Sequence, residues 1–200
     1  MRIGVLASGR GSNLQALLNA RQAGQIAGEF VAVGSDQPGA FALERASQAG
    51  IPEKSFPLNS YGSRENQEEN ILRWLQERRV ELLLLAGYMR VLSSGFISRA
   101  SFPILNIHPS LLPSFPGLHA QRQALAYGVK ISGCTVHFVD EGLDSGPIIL
   151  QEAVPVLEGD TEETLSERIL QLEHRLYPEA VGLLLNGKLE KNGRTVRIKP

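Results

Sequence analysis

The chain has 200 residues, 42% of them hydrophobic and 20% charged, with a formal net charge of −1 at pH 7. A chain of this size suits one domain burying roughly 70% of the surface its unfolded form exposes, and so balanced a charge sets up no general field for nucleic acid or an anionic membrane. The longest apolar run, 80–87, is far short of the ~20 residues of a spanning helix, and Cys134 is the only cysteine, so neither an internal disulfide nor a thiolate zinc cage can form.

Residues 2–7 read as a first strand, because Met1-Arg2 leads straight into Ile3-Gly4-Val5-Leu6-Ala7 without the length or cleavage pattern of a signal peptide. A cytoplasmic location is therefore expected. A glycine-containing turn then enters an apolar-periodic helix over 12–23, with Leu14, Leu17 and Leu18 on one face. A second strand is expected over 29–35 and a helix over 40–50, where Gly50 and Pro52 supply stop signals. The pattern Ile71, Leu72, Trp74, Leu75 predicts a helix over 63–79, and 80–86 follows as a continuous apolar run suited to a strand covered on both faces. A short helical stretch over 94–100 precedes a strand over 104–108, ended by Pro109; a helix over 119–127 follows.

This alternation predicts an α/β fold: a three-layer sandwich with a mostly parallel, nucleotide-binding-like sheet, because parallel neighbours need crossover connections. The segments 132–139 and 148–156, joined by a turn-rich stretch, read as an antiparallel addition in the C-terminal half. Asp160 and Glu163 have capping-box spacing before a stripe of Leu165, Ile169, Leu172 and Leu176, and Pro178 is expected to bend or divide that helix.

Ser8-Gly9-Arg10-Gly11-Ser12-Asn13 lies between the first strand and first helix, where backbone N–H groups and the helix N-terminus favour an anion such as a phosphate. A tight turn capped by Ser12 or Asn13 explains the same glycine spacing equally well. The segment lacks the lysine of a Walker loop and has Leu14 where a dinucleotide fingerprint needs glycine or alanine.

Alternation along a strand puts Asn106 and His108 on one face, an amide and an imidazole able to converge on one oxygen at the strand's carboxyl end. Asp144 sits among glycines and acids that otherwise read as an exposed turn; brought near His108, its charge would favour the imidazolium. His119 reads as a helix cap or a neighbour of the site. His137, between Val136 and Phe138, reads as structural, and Trp74 and Cys134 as packing residues.

Taken together, Gly11-Ser12-Asn13, Leu85-Ala86-Gly87-Tyr88-Met89-Arg90, Asn106-Ile107-His108-Pro109-Ser110-Leu111-Leu112-Pro113, Pro116-Gly117-Leu118-His119 and Leu143-Asp144-Ser145-Gly146-Pro147 resemble the phosphoribosylglycinamide formyltransferases of purine synthesis over nearly the whole chain. Methionyl-tRNA formyltransferases and formyltetrahydrofolate deformylases look similar from 106 to 113. Those carry a further carboxyl-terminal or amino-terminal domain, and neither is expected in a chain of 200 residues.

The resemblance implies a single formyltransferase domain over 1–200, with a phosphate-binding N-terminal half and a folate-binding, catalytic C-terminal half. It implies that Gly11, Ser12, Asn13 and Glu173 hold the phosphoribosylglycinamide, Glu173 otherwise being a solvated helix acid. Arg64, Met89, Arg90, Val91, Leu92, Asn106, Asp140, Glu141, Gly142, Leu143 and Asp144 would contact the folate. For Arg64 and Arg90 the plain alternative is surface charge; for Met89, Val91 and Leu92 it is core packing. Asn106, His108 and Asp144 would be catalytic, with 10-formyltetrahydrofolate as formyl donor and no metal. The implied partners are small-molecule substrates, neither nucleic acid nor membrane, for a monomer or homodimer. Asp36 replaces a frequent asparagine, and Gln121 a common histidine.

Overall fold

In the computed structural model, which describes residues 1–200, the hydrogen-bonded strand order is β3-β2-β1-β4-β5-β6-β7, with a separate two-stranded sheet β8-β9. The expected α/β class is thus found, and the chain divides into two compact units, Met1–Leu105 and Asn106–Pro200.

The first unit contains β1 (Arg2–Leu6), α1 (Ser12–Gln22), β2 (Glu29–Ser35), α2 (Phe41–Gln48), β3 (Glu53–Ser55), α3 (Arg64–Glu77), β4 (Leu82–Leu85) and α4 (Ser94–Arg99). Pairing of β1 with β2, β1 with β4 and β2 with β3 is parallel. Because helices join parallel strands, neither face of β1 or β4 meets water: Ile3, Val5 and Leu82 to Leu84 are fully buried, as the unbroken leucine run requires. Ser63 caps α3 by accepting a hydrogen bond from the Asn66 N–H, and Ile71, Leu72, Trp74 and Leu75 form its buried stripe. The short β3, whose residues Glu53-Lys54-Ser55 carry no strand pattern, is recruited by pairing with β2 alone. Chain order reverses between β1 and β4, so the loops following these two strands border the crevice in which open α/β sheets take ligands.

The second unit begins inside β5 (Ile104–His108) and continues through α5 (Ala120–Tyr127), β6 (Ile131–Phe138), β7 (Ile148–Pro155), α6 (Glu162–Leu185), β8 (Leu189–Asn192) and β9 (Thr195–Ile198). The antiparallel addition is β7 on β6, paired from Ile131↔Pro155 to His137↔Ile148. α6 buries Leu165, Ile169, Leu176, Tyr177, Ala180 and Val181.

Two details of α6 differ from expectation. The capping box is made by Thr161 and Thr164, each hydroxyl accepting the other's backbone N–H; Asp160 instead takes both Arg168 Nη groups at 2.8 Å. Pro178 does not divide the helix, which runs from Glu162 to Leu185. Buried packing of the stripe on both sides of Pro178 outweighs the one backbone hydrogen bond that proline removes.

Candidate active site

In the second unit the carboxylate of Asp144 lies between the two polar side chains of β5. Its Oδ2 is 3.3 Å from His108 Nδ1 and accepts the Gly117 N–H at 2.7 Å. Its Oδ1 is 3.5 Å from Asn106 Nδ2 and 3.7 Å from His137 Nε2. β5 aims Asn106 and His108 to one side, as strand alternation requires, and His108 is buried at 4% exposure.

The turn carrying Asp144 is shaped by its neighbours. Asp144 takes a left-handed conformation (φ 49°), which aspartate tolerates better than most residues. Two residues on, a Cβ at Gly146 would sit 1.7 Å from the Phe138 carbonyl oxygen, so only glycine lets the chain return against β6 there. Asp140 closes the start of the turn, accepting from Ser145 Oγ at 2.7 Å and from the Gly142 N–H at 3.2 Å. Glu141 and Leu143 are exposed.

Both ring nitrogens of His108 face acceptors. Nε2 donates to the Phe115 carbonyl at 2.8 Å, and Nδ1 faces the Asp144 carboxylate. A ring nitrogen bearing a hydrogen suits each contact, and only the doubly protonated ring offers both at once.

His137, read as structural on sequence grounds, lies against this group. It is 2% exposed, its Nδ1 is 2.9 Å from the Phe138 carbonyl and its Nε2 is 3.2 Å from Asn106 Nδ2. Burial lowers its pKa from the ordinary value, against smaller opposing effects of the Phe138 carbonyl and Asp144. Alternation of apolar neighbours hid it; its only sequence signal is an imidazole inside a strand otherwise built for a core. Arg194, in the β8–β9 turn, was also missed: its Nη2 donates to the Ser145 carbonyl at 2.7 Å.

In the first unit, Gly11 precedes α1 with φ 67°, and a Cβ there would meet Ala42 Cα at 2.7 Å. Neither Ser12 nor Asn13 caps α1 with its side chain, and the first turn carries no acidic residue, which leaves the helix N-terminus electrostatically open to an anion. The capped-turn alternative is not what the chain adopts. The loop is fastened from outside instead: Ala42 N–H donates to Gly9 O at 3.1 Å and Arg45 Nε to Arg10 O at 2.9 Å. Ser8, after β1, ties its loop to those after β2 and β4, donating to Asp36 Oδ1 at 2.5 Å while accepting the Met89 N–H at 2.9 Å.

Met89 and Val91 are 60% and 58% exposed, which rules out core packing for both, whereas Leu92 is a core residue at 6%. Arg64 is held rather than free: Nε pairs with the buried Glu68 at 3.0 Å and Nη2 donates to the Val91 carbonyl. Arg90 borders a cleft of about 450 Å³ with Asp36, Pro57, Leu58 and Asn59. Glu173 is a buried acid at 6% exposure, not the solvated helix residue its position suggests. His119 begins α5 in a left-handed conformation without making a side-chain cap; its Nδ1 is 3.9 Å from Glu162. Cys134 is fully buried, and burial pushes its thiol up to about 12, so it is not a nucleophile.

The family model for formyl transferases matches residues 1–181. The chain belongs to the formyl transferase family. Among solved structures it is similar to glycinamide ribonucleotide transformylase 1 from Symbiobacterium toebii, at 53% identity and a TM-score of 0.96, covering 100% of this chain and 94% of that one. Phosphoribosylglycinamide formyltransferase of Escherichia coli is 44% identical over 190 residues, 95% of this chain and 90% of that protein. The trifunctional purine biosynthetic protein adenosine-3 of Drosophila melanogaster is 51% identical over 188 residues, and there the chain spans only 14% of the relative's length. The β8–β9 hairpin lies beyond the part the family model matches.

Proposed function

We propose that this formyl transferase moves the formyl group of 10-formyltetrahydrofolate to the amine of N1-(5-phospho-D-ribosyl)glycinamide, giving the N-formyl product and tetrahydrofolate for purine synthesis. The observation that carries the reading is the Asp144 carboxylate set between His108 Nδ1 and Asn106 Nδ2. Similarity to proteins named as glycinamide ribonucleotide enzymes supports the acceptor.

On this reading the neutral amine attacks the formyl carbon and the carbonyl oxygen becomes an oxyanion. Asn106 Nδ2 donates to it, and His108 supplies positive charge; a direct hydrogen bond from His108 requires its Nε2–H to leave the Phe115 carbonyl. Losing one such donor typically costs about 2.7–4 kcal/mol of barrier. The attacking nitrogen gives up a proton and the folate N10 gains one as its bond to carbon breaks. Asp144, directly or through water, relays that proton while sustaining the His108 charge. No covalent enzyme intermediate and no metal enter the scheme.

The assignment gives the phosphate to Gly11, Ser12 and Asn13, with Glu173 also contacting the nucleotide, and the folate to Arg64, Met89 to Val91 and residues 140–144. Leu92, buried in the same segment, and Asn106 complete the folate contacts. It treats residues 1–200 as one formyltransferase domain, a cytoplasmic monomer or homodimer. The test is to mix purified protein with 10-formyltetrahydrofolate and the glycinamide nucleotide and follow formyl appearance on the nucleotide. Formate release that needs no acceptor would replace the transferase by a hydrolase.

A further inference from the structure

His137 makes two directed contacts whose chemistry fixes a third group. The Phe138 carbonyl, 2.9 Å from Nδ1, can only accept, so Nδ1 carries a hydrogen. A ring 2% exposed is held neutral by the cost of burying charge, so Nε2 carries a lone pair. The Asn106 atom 3.2 Å from that lone pair must then be a donor, which makes it Nδ2 rather than Oδ1. An amide's two ends are nearly alike in shape, and nothing in the strand backbone chooses between them. His137 does.

We infer that His137 is a positioning residue for formyl transfer: its neutral Nδ1–H tautomer accepts one Asn106 hydrogen and thereby presents the other to the reacting oxygen. The second Nδ2 hydrogen faces Asp144 Oδ1 at 3.5 Å, the outer limit of a hydrogen bond, so a formyl oxygen gaining negative charge competes for it readily. The pairing register shifts between Val136 and His137, so that Val136 faces Leu150 and His137 faces Ile148. The extra residue, Ile149, belongs to β7, so the bulge lies on the partner strand where it leaves the turn that carries Asp144. Without the His137 lone pair the amide is free to turn over and set its oxygen against the oxyanion, which repels it.

The inference rests on the proposed transferase reading, and its test separates the two. His137→Phe keeps an aromatic ring and removes the acceptor, while His137→Gln offers an acceptor again. His137→Phe is expected to lower kcat by about 10-fold or more, bounded by the roughly 10²–10³ of losing an oxyanion donor, with both KM values little changed; His137→Gln should recover most of kcat. Combined with Asn106→Ala, the His137→Phe change should add almost nothing, because both act through one amide. Multiplying effects, an effect on KM alone, or a His137→Gln enzyme as slow as His137→Phe each overturn the assignment. If His137→Phe fails to fold, nitrogen-15 spectra of the wild-type histidines decide: Nδ1 protonated with Nε2 bare is the expected state, and a protonated Nε2 defeats it. That spectrum is read without turnover, so a wild-type chain lacking formyl transfer would remove the proposed function and leave the tautomer measurement standing.

Discussion

Asp144 Oδ2 sits 3.3 Å from His108 Nδ1 on the far side of the ring from the Phe115 carbonyl, so one carboxylate completes the set of acceptors that a cationic imidazole needs. Removing its charge takes away the acceptor that faces Nδ1 and, on the proposed mechanism, the proton relay. Asp144→Asn should lower kcat by about 10²–10⁴-fold, the range for general acid–base groups, and leave affinity for a phosphorylated acceptor nearly unchanged. Steady-state kinetics with both substrates varied will tell; turnover within a few-fold of wild type takes Asp144 out of the mechanism.

Gly11 has a different kind of constraint. Its φ of 67° and the 2.7 Å that a Cβ would leave to Ala42 Cα mean that Gly11→Ala strains the backbone and pushes on α2 at once. The expected cost is about 1–3 kcal/mol of stability, with KM for the phosphorylated acceptor raised more than KM for the folate. Urea unfolding and substrate titration check the two halves, and an unchanged acceptor KM would separate this loop from the phosphate.

Two histidines should make the folded chain acid-sensitive. Burial lowers the pKa of both His137 and His174 from the ordinary value, and His174 Nε2 has no hydrogen-bond partner in the fold. The unfolded chain therefore binds more protons than the folded one once pH drops below the unfolded value of about 6.5. Stability is complete above that pH and declines as pH falls toward the lowered folded values. Urea midpoints at pH 8 and pH 5 should differ less in a His137→Gln, His174→Gln double variant than in wild type; equal differences would contradict the assignment.

Arg194 reaches from the C-terminal hairpin to the Ser145 carbonyl, next to Asp144. Arg194→Ala removes one hydrogen bond, worth about 0.5–1.5 kcal/mol. Faster amide exchange confined to 140–147, with a thermal midpoint nearly that of wild type, is the expected result. Exchange unchanged there would show that the hairpin does not restrain the turn.

The elements with a strong period were legible from residues alone. β2 and β5 coincide with the expected strands, and the leucine run of β4 announced a strand covered on both faces. β3 was not legible, because its three residues become a strand only by pairing with β2. The capping box moved from Asp160 and Glu163 to Thr161 and Thr164, since Asp160 has a stronger partner in Arg168 that lies two turns along the helix.

At the site the division is similar. Residue type and strand alternation determined that Asn106 and His108 share a side, whereas glycine spacing left an anion-ready helix N-terminus and a capped turn equally open until the fold decided. Only the tertiary structure decided that Met89 and Val91 are exposed while Leu92 is core, that Glu173 is buried, and that His137 turns toward Asn106. Local pattern is set by neighbours along the chain, which the residues themselves encode. Which lone pair meets which hydrogen across 31 residues of chain depends on which strands pair and in what register, and no short window of sequence contains that.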